Sequence, residues 1–220
     1  MTKRAPFITF EGPEGSGKST QARILSARLR SMGLDALDSV EPGGTPIGMQ
    51  IRRVLLDSKN HDLCPTAELL LMFAARAQNV DQWILPALAA GRIVISDRFT
   101  DSTLVYQGVA RGLGAEVVYD VDRIACRGLT PDLTLVIDID TETGLARAHK
   151  RSAQTGDIET RLDQESLAFH RKVRAAYHQL AEDEPHRVRL IDGNRTEAEV
   201  AADVWRAVEP LIAANKETAR

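Results

Sequence analysis

Five short apolar runs alternate along the chain with longer segments whose apolar residues recur at helical spacing. The runs cover residues 7–10, 36–40, 93–96, 133–139 and 188–191. The third and fourth runs contain three consecutive apolar residues each, which is typical of parallel strands buried on both faces. Because strands alternate with helix-length segments, the pattern favours a three-layer α/β/α fold around a five-stranded parallel sheet.

Helical periodicity predicts five main helices, at residues 21–32, 47–56, 66–88, 163–182 and 197–212. Gly33 ends the first of these, Thr66 caps the third, and Pro86 is expected to break the third near its end. The third helix is apolar almost all round before Arg76, so both of its sides should be covered. One side faces the sheet and the other a second subunit, which predicts a homodimer. The polar tail, residues 215–220, is expected to fray.

The composition is that of an ordinary soluble globular protein. The chain has 220 residues, of which 43% are hydrophobic and 27% charged, with no break in composition, and this predicts a single domain. A net charge of −3 and a pI near 6.0 argue against a nucleic-acid partner, which calls for a strongly basic balance. Cys64 and Cys126 lack metal-ligand spacing, and no run approaches the ~20 apolar residues of a membrane helix. The basic start leads into the first strand rather than a signal core, so a cytoplasmic protein without a membrane partner is expected.

The segment between the first strand and the first helix carries the clearest chemical pattern. It reads Gly-Pro-Glu-Gly-Ser-Gly-Lys-Ser-Thr from Gly12 to Thr20, in the strand–loop–helix context of a phosphate-binding loop. Glycines let backbone N–H groups wrap a phosphate, and the helix N-terminus adds its positive dipole end. Lys18 is placed to reach the β and γ phosphates, and the Ser19 hydroxyl to ligate Mg²⁺. A chance glycine-rich turn would not explain why strand, loop and helix agree, so the chain is predicted to bind a nucleoside triphosphate.

Two more candidate segments follow predicted strands, and ligands of parallel sheets gather at this edge. Asp97 and Arg98 follow the third strand. Asp97 would hold the water shell of Mg²⁺, and Arg98 would neutralise a phosphate. The loop 41–46, Glu-Pro-Gly-Gly-Thr-Pro, follows the second strand and is predicted to be rigid. The structural alternatives are a strand-end ion pair and a plain connector.

Polar residues within the predicted helices extend the same site. Arg76 ends an apolar helical run and has to find an anion or acceptor, in a ligand or in a structural salt bridge. Thr103, Tyr106 and Gln107 share one helix face. Their hydroxyl and amide groups suit the recognition of a base and sugar, and the alternative is a solvated helix face.

Taken together, these motifs resemble those of the thymidylate kinases, enzymes that move the γ-phosphate of ATP onto dTMP. The matching segments, in the order of that family, are residues 10–20, 41–45, 97–99, 102–107, 131–134 and 164–166. The resemblance extends over about residues 6–212. It implies the P-loop nucleoside monophosphate kinase fold, ATP and dTMP as ligands, Mg²⁺ as cofactor and a role in dTTP biosynthesis.

The resemblance also implies roles for individual residues. ATP would be bound by Gly12, Pro13, Glu14, Gly15, Ser16, Gly17, Lys18, Ser19 and Thr20. The dTMP site would comprise Glu14, Pro42, Arg52, Met72, Phe73, Arg76, Arg98, Thr103, Tyr106 and Gln107. The metal ligands would be Ser19 and Asp97, and the catalytic residues Lys18, Arg98, Glu14, Arg151 and Arg147. Glu14 would meet the sugar 3′-hydroxyl, Arg98 the monophosphate and Arg76 the base. Tyr106 would pack under the deoxyribose, and either Met72 or Phe73 would stack on thymine.

The family supplies positive charge to the transition state in one of two arrangements. One has an arginine directly after the acidic residue of the phosphate loop, where this chain has Gly15. The charge is therefore expected from a mobile lid at about residues 147–161, a stretch that is basic, polar and short of core residues. Its candidates are Arg147, Arg151 and Arg161, with Arg151 first. A cation that closes over the phosphoryl group neutralises its charge and excludes water.

Three alternatives stay open on the sequence alone. Another P-loop (deoxy)nucleotide kinase would use a different acceptor, a nucleotide-binding ATPase or switch would need none, and an inactive scaffold would have kept only the fold. The scaffold is disfavoured because Lys18, Ser19, Asp97 and Arg98 are all present. A guanine-reading switch is disfavoured because the Asn-Lys pair at 215–216 continues with Glu-Thr in a polar tail.

Overall fold

The five apolar runs form one parallel sheet. The computed structural model describes residues 4–155 and 159–218, and within these ranges the strands are β1 (Phe7–Glu11), β2 (Ala36–Val40), β3 (Ile93–Asp97), β4 (Leu133–Asp138) and β5 (Val188–Asp192). Their order is β2-β3-β1-β4-β5, and every neighbouring pair is parallel. The predicted strands and the predicted fold class are confirmed.

The segments between the strands are largely helical. In the described ranges the α-helices are α1 (Lys18–Ser31), α2 (Pro46–Leu56), α3 (Pro65–Asn79), α4 (Leu85–Ala89), α5 (Thr100–Thr103), α6 (Ala115–Ala125), α7 (Thr141–Thr155), α8 (Leu167–Asp183) and α9 (Glu197–Thr218). Two π-helical segments, Val80–Ile84 and Leu104–Ala110, follow α3 and α5 respectively. The hydrophobic pattern alone does not predict α6 or α7.

Both faces of the sheet are buried, because its central strands are apolar at consecutive positions. One face, which includes Phe7 and Val136, packs against α3, α6 and α8. The opposite face, which includes Phe10 and Ile95, packs against α1 and α9. Apolar burial stabilises these layers by about 25 cal/mol per Å². The two packed layers hold the carboxyl edge of the sheet, where the candidate segments meet.

Helix α3 differs from the sequence prediction at both ends. It begins at Pro65, after Cys64, rather than with a capping Thr66. A proline fits the first helical position because the N–H it lacks would have no helical partner there. Pro86 does not break the run, since it lies in the first turn of α4, where a proline is tolerated. Leu70, on the outer face of α3, is 53% exposed, so its cover by a second subunit stays a prediction.

The predicted lid, residues 147–161, is helical as far as Thr155, where α7 ends. Ala148 within it is fully buried, and so is most of Arg161. Residues 156–158 lie outside the described residues, and the mobility of the lid stays a prediction. The predicted frayed tail, residues 215–220, is helical through Thr218, where α9 ends. Residues 219–220 lie outside the described ranges.

No helix in the described part of the chain combines the length and the apolarity needed to cross a membrane.

Candidate active site

The loop between β1 and α1 has the backbone of a phosphate cradle. Gly12 adopts φ +134°, and a Cβ there would lie 2.4 Å from the carbonyl oxygen of Ile137. Gly17 adopts φ +92° at the N-cap of α1 and offers no side chain to the first helical N–H groups. These N–H groups and the positive end of the helix dipole therefore remain available to an anion.

A cavity of about 420 Å³ opens beside this loop at the carboxyl edge of the sheet. The predicted site residues that line it are Glu14, Lys18, Ser19, Thr20, Pro42, Arg52, Met72, Arg76, Asp97, Arg98, Thr103, Tyr106, Gln107 and Arg151. Those that do not line it are Gly12, Pro13, Gly15, Ser16, Gly17, Phe73 and Arg147. The structure thus brings residues at the ends of three strands to one cavity, together with residues of α1, α2, α3, α5, the π-helical segment Leu104–Ala110 and the lid.

Glu14 is paired with three groups that line the cavity. Arg98 Nη2 donates to Glu14 Oε2 at 2.6 Å, and the Tyr106 hydroxyl donates to Glu14 Oε1 at 2.9 Å. Lys18 Nζ lies 3.5 Å from Glu14 Oε2. Burial alone would raise the pKa of Glu14, but the charges of Arg98 and Lys18 outweigh it and lower the pKa to about 2. Glu14 is therefore a carboxylate at every physiological pH.

Lys18 is buried at the start of α1 and has few protein partners. Its Nζ donates to the carbonyl oxygen of Pro13 at 3.3 Å, besides the contact with Glu14. Burial and the nearby charge of Arg98 lower the pKa of Lys18 below its ordinary value. An ammonium group in this setting is stabilised by an added anion, which is what a triphosphate supplies.

A hydrogen-bonded cluster that sequence reasoning missed holds the side chain of Arg98 in place. Arg98 Nη1 donates to the Ser102 hydroxyl at 2.9 Å and lies 3.4 Å from the Tyr177 hydroxyl. Both hydroxyls donate to Glu11 Oε2, which lies 3.0 Å from Tyr177. Glu11 also accepts the N–H of Phe99 at 2.8 Å. The available signal for Glu11 was a carboxylate at the end of a mainly apolar strand, directly before the phosphate loop.

Glu11 is fully buried, and its carboxyl lies close to other charged groups. Burial, and then the charge of Asp101, raise the pKa of Glu11 to about 7. The backbone of Arg98 adopts φ +72°, a left-handed conformation uncommon outside glycine. The hydrogen bonds around Glu11 thus hold a strained residue whose guanidinium faces the cavity.

Arg76 forms an ion pair with Glu41, a residue of the protein itself. Its Nε donates to Glu41 Oε2 at 2.5 Å, Nη1 to Thr103 Oγ1 at 2.9 Å and Nη2 to the carbonyl oxygen of Phe99 at 3.0 Å. The side chains of Arg76 and Glu41 are only 3% and 1% exposed. The structural salt bridge, one of the two sequence alternatives, is therefore formed, although Arg76 also lines the cavity. Phe73 lies under the guanidinium, 4.9 Å from ring centroid to Cζ, and faces the core.

The loop between β2 and α2 is fixed at several points, as its glycines and prolines predict. Its first peptide bond, Glu41–Pro42, is cis, and Gly44 adopts φ +76°. The Thr45 side chain accepts the N–H of Gly48 at 2.9 Å and so caps α2. Arg52, on α2, donates to the carbonyl oxygen of Pro42 at 2.9 Å. The loop thereby brings Pro42 and Arg52 together at the cavity wall.

Helix α7 packs directly on the phosphate loop through two glycines. A Cβ on Gly15, which adopts φ +68°, would lie 2.0 Å from the carbonyl oxygen of Gly144. A Cβ on Gly144 would lie 2.4 Å from the carbonyl oxygen of Glu14. No side chain fits at Gly15 without displacing α7, and the same contact places the lid helix against the loop.

The three lid arginines have different surroundings. Arg151 lines the cavity, is 59% exposed, and lies 4.0 Å from Asp163. Arg147 is exposed, with its Cβ near Gly15. Arg161 is buried, and its Nη1 donates to Glu68 Oε2 at 2.7 Å. Arg161 therefore anchors the end of the lid segment, and Arg151 and Arg147 are the exposed cations of the three.

The candidate metal ligands are oxygen donors at the phosphate-loop end of the cavity. Ser19 is exposed in the first turn of α1, and Asp97 ends β3; both line the cavity. Among the described residues, no group of three or more His, Cys, Asp or Glu side chains is placed to hold a metal ion. This donor set suits Mg²⁺, which is held by one or two protein oxygens together with phosphates and water.

Comparison with known proteins shows the family of the chain. The family model for thymidylate kinase matches residues 10–204. A thymidylate kinase of Trichlorobacter lovleyi is 49% identical over 208 residues, which cover 94% of this chain and 98% of that protein. One of Thermomicrobium roseum is 50% identical over 206 residues, covering 94% and 95%. The crystal structure of thymidylate kinase from Ehrlichia chaffeensis has a TM-score of 0.74 and 28% identity, covering 94% of this chain and 99% of that one. The chain therefore belongs to the thymidylate kinase family.

Proposed function

We infer that this chain is an ATP:dTMP phosphotransferase, which moves the γ-phosphate of ATP to dTMP and releases dTDP and ADP, a step of dTTP biosynthesis. The single observation that carries the inference is the cavity itself. It joins a phosphate-binding loop to a cluster of Glu14, Arg98 and Tyr106, and beyond that to Thr103 and Gln107. A donor triphosphate and an acceptor nucleotide are thus brought to one site, where the reaction needs them.

The loop from Gly12 to Thr20 binds the ATP phosphates through its backbone N–H groups. Lys18 reaches the β and γ phosphates, and its few protein contacts support this role. Ser19 and Asp97 would hold Mg²⁺. Bound there, the ion would offset negative charge on the phosphate oxygens.

The acceptor dTMP occupies the other end of the cavity. Arg98 faces its phosphate, with Pro42 and Arg52 nearby, and Glu14 meets the sugar 3′-hydroxyl. Tyr106 packs under the deoxyribose, where a 2′-hydroxyl would clash. The base lies against Met72, Arg76, Thr103 and Gln107; since Phe73 faces the core, Met72 is the contact we favour.

The transition-state charge is neutralised by arginines of the lid, residues 147–161. The absence of room for a side chain at Gly15 supports this arrangement over a phosphate-loop arginine. Arg151 is the first candidate because it lines the cavity with an exposed guanidinium, and Arg147 is the second. Arg161 serves as the anchor about which the lid moves. Transfer is direct and in line, without a phospho-enzyme, because positioning and charge neutralisation suffice for this chemistry.

The enzyme acts as a homodimer. Large apolar side chains are exposed on α3 and α6, which pack on each other, and they include Leu70, Val117 and Ile124. A second copy that covers this surface would remove apolar area from water, which stabilises association.

The test is ADP production from ATP and Mg²⁺, with and without dTMP, beside dUMP, dCMP, dGMP and thymidine. We expect dTMP to give the largest rate, dUMP a weaker one, and thymidine none. Lys18→Ala is expected to lower turnover by about 10²–10³-fold while its circular dichroism stays that of the wild type. A higher rate with another monophosphate would indicate a different nucleotide kinase, and ATP hydrolysis that ignores every acceptor would indicate an ATPase.

A further inference from the structure

Glu68 is a fully buried carboxylate behind the wall of the cavity, in the first turn of α3. Gln107 Nε2 donates to its Oε1 at 2.7 Å, and Arg161 Nη1 donates to its Oε2 at 2.7 Å. Arg111 donates to both oxygens, at 3.2 and 3.1 Å. Burial alone would raise the pKa of Glu68, but the hydrogen bonds from Arg111 and Gln107 outweigh it and lower the pKa below its ordinary value. Glu68 is therefore ionised, and its two oxygens can only accept hydrogen bonds.

This carboxylate decides which way the Gln107 amide points. An ionised carboxylate cannot donate, so the amide nitrogen of Gln107 has to face Glu68 and the amide oxygen has to face elsewhere. Gln107 lines the cavity. Its Oε1 makes no hydrogen bond with the part of the chain that is described, yet it is not among the fully enclosed atoms that lack a partner. The cavity wall therefore presents a hydrogen-bond acceptor at this point.

The hydroxyl of Thr103, one helical turn before Gln107, has the opposite hydrogen-bonding role. Arg76 Nη1 donates to Thr103 Oγ1 at 2.9 Å, and a guanidinium has no acceptor to offer in return. The hydroxyl proton of Thr103 finds no acceptor among the residues described, and Thr103 also lines the cavity. This second point of the wall therefore presents a donor.

We propose that Glu68 is a positioning residue for base selection: it turns the acceptor of Gln107 into the cavity beside the donor of Thr103. This pair complements a pyrimidine edge that carries a ring N–H next to a carbonyl, as in thymine and uracil. Cytosine carries the reverse pattern, a ring acceptor next to an amine, and would leave both wall groups unpaired. The inference rests on the proposed function, since it concerns the base of the acceptor nucleotide.

The experiment compares kcat/KM for dTMP, dUMP and dCMP in the wild type and in Glu68→Gln. A glutamine at this position can donate to Gln107, so the Gln107 amide is free to turn its nitrogen into the cavity. The preference for dTMP over dCMP should fall by about tenfold or more, because a reversed polar contact costs that order of discrimination. The preference for dTMP over dUMP should not change, since both bases present the same edge.

Glu165→Gln is the matched control. Glu165 pairs with the same Arg111, at 2.6 Å, but makes no contact with Gln107 among the described interactions, so both preferences should stay those of the wild type. Thermal unfolding is measured for every variant. Should Glu68→Gln fail to fold, Glu68→Asp decides the question, because it keeps a charge for both arginines and withdraws from Gln107. Its preference for dTMP over dCMP should fall as well.

Two results would overturn the inference while leaving the proposed function intact. One is a folded Glu68 variant that lowers kcat/KM equally for all three nucleotides, which would reduce Glu68 to a structural residue. The other is a wild-type enzyme that accepts dCMP as readily as dUMP. A wild type that produces no additional ADP with dTMP would instead refute the proposed function.

Discussion

Replacing Arg76 with methionine would leave the Glu41 carboxylate buried without a cation. Arg76 and Glu41 are 3% and 1% exposed, and their shortest contact is 2.5 Å. Asn79 Nδ2 still donates to Glu41 Oε1 at 2.9 Å, but it carries no charge. Methionine conserves most of the apolar stem, so the change removes mainly the guanidinium and its three hydrogen bonds.

The expected loss in the free energy of unfolding is about 3–5 kcal/mol, the range for removing one partner of a buried pair. For a chain of this size, such a loss lowers the melting temperature by about 10 °C. Urea unfolding and thermal unfolding both measure it. The loss should be smaller at pH 5 than at pH 8, because burial raises the pKa of Glu41 and a protonated carboxyl needs no cation. The double variant Arg76→Met/Glu41→Gln should recover about half of the loss.

The opposite outcome would show that Arg76 acts mainly on the ligand. In that case the free energy of unfolding of Arg76→Met would lie within about 0.5 kcal/mol of the wild-type value, as is typical of a surface change, while its KM for dTMP rose strongly. Glu41→Gln would then bring no recovery of stability. The buried pair of Arg76 and Glu41 would contribute little to the fold, contrary to the reasoning from its burial.

Three further predictions concern the lid, the phosphate loop and the buried carboxyl beside it. Arg151→Ala should lower kcat by about 10²-fold with little change in KM for dTMP, and a change in KM alone would contradict its role in the transition state. Gly15→Ala should destabilise the protein by about 1–3 kcal/mol more than Gly33→Ala. Both glycines have positive φ, but only a Cβ at position 15 would clash with Gly144. Equal melting temperatures of the two variants would refute this clash. Because the folded pKa of Glu11 is about 7, above its ordinary value of 4.5, the wild type should lose on the order of 3 kcal/mol of stability as pH rises from 4.5 to 7. Glu11→Gln should remove that part of the pH dependence, and an unchanged profile in urea unfolding would disprove the assignment.

Much of the candidate site was predictable because its signals are local. The phosphate loop is a continuous run from Gly12 to Thr20, and Asp97 and Arg98 directly follow a strand. Parallel strands bring their carboxyl ends to one edge, so residues placed after different strands were expected to meet. The rigid loop that follows β2 was predicted for the same reason, from the types of its own residues.

The partners of these residues were not predictable in the same way. Tyr177 donates to Glu11 across 166 positions, and Arg161 donates to Glu68 across 93. Nothing local marks Arg161 as a buried anchor rather than a mobile lid cation. Likewise, the periodicity of α3 does not decide whether Met72 or Phe73 faces the cavity. That choice depends on how the helix is rotated against the sheet.

The sequence by itself determined the strands of this protein, most of its helices and the edge of the sheet at which the candidate site lies. Strand propensity, glycine conformations and the spacing of the phosphate loop act over a few residues, so they can be read without the fold. Only the tertiary structure decided which charges are paired, which are buried, and in which direction Gln107 and Thr103 present their polar atoms. The physical reason is that burial and long-range pairing set the cost of an unpaired group, and both are properties of the packed chain.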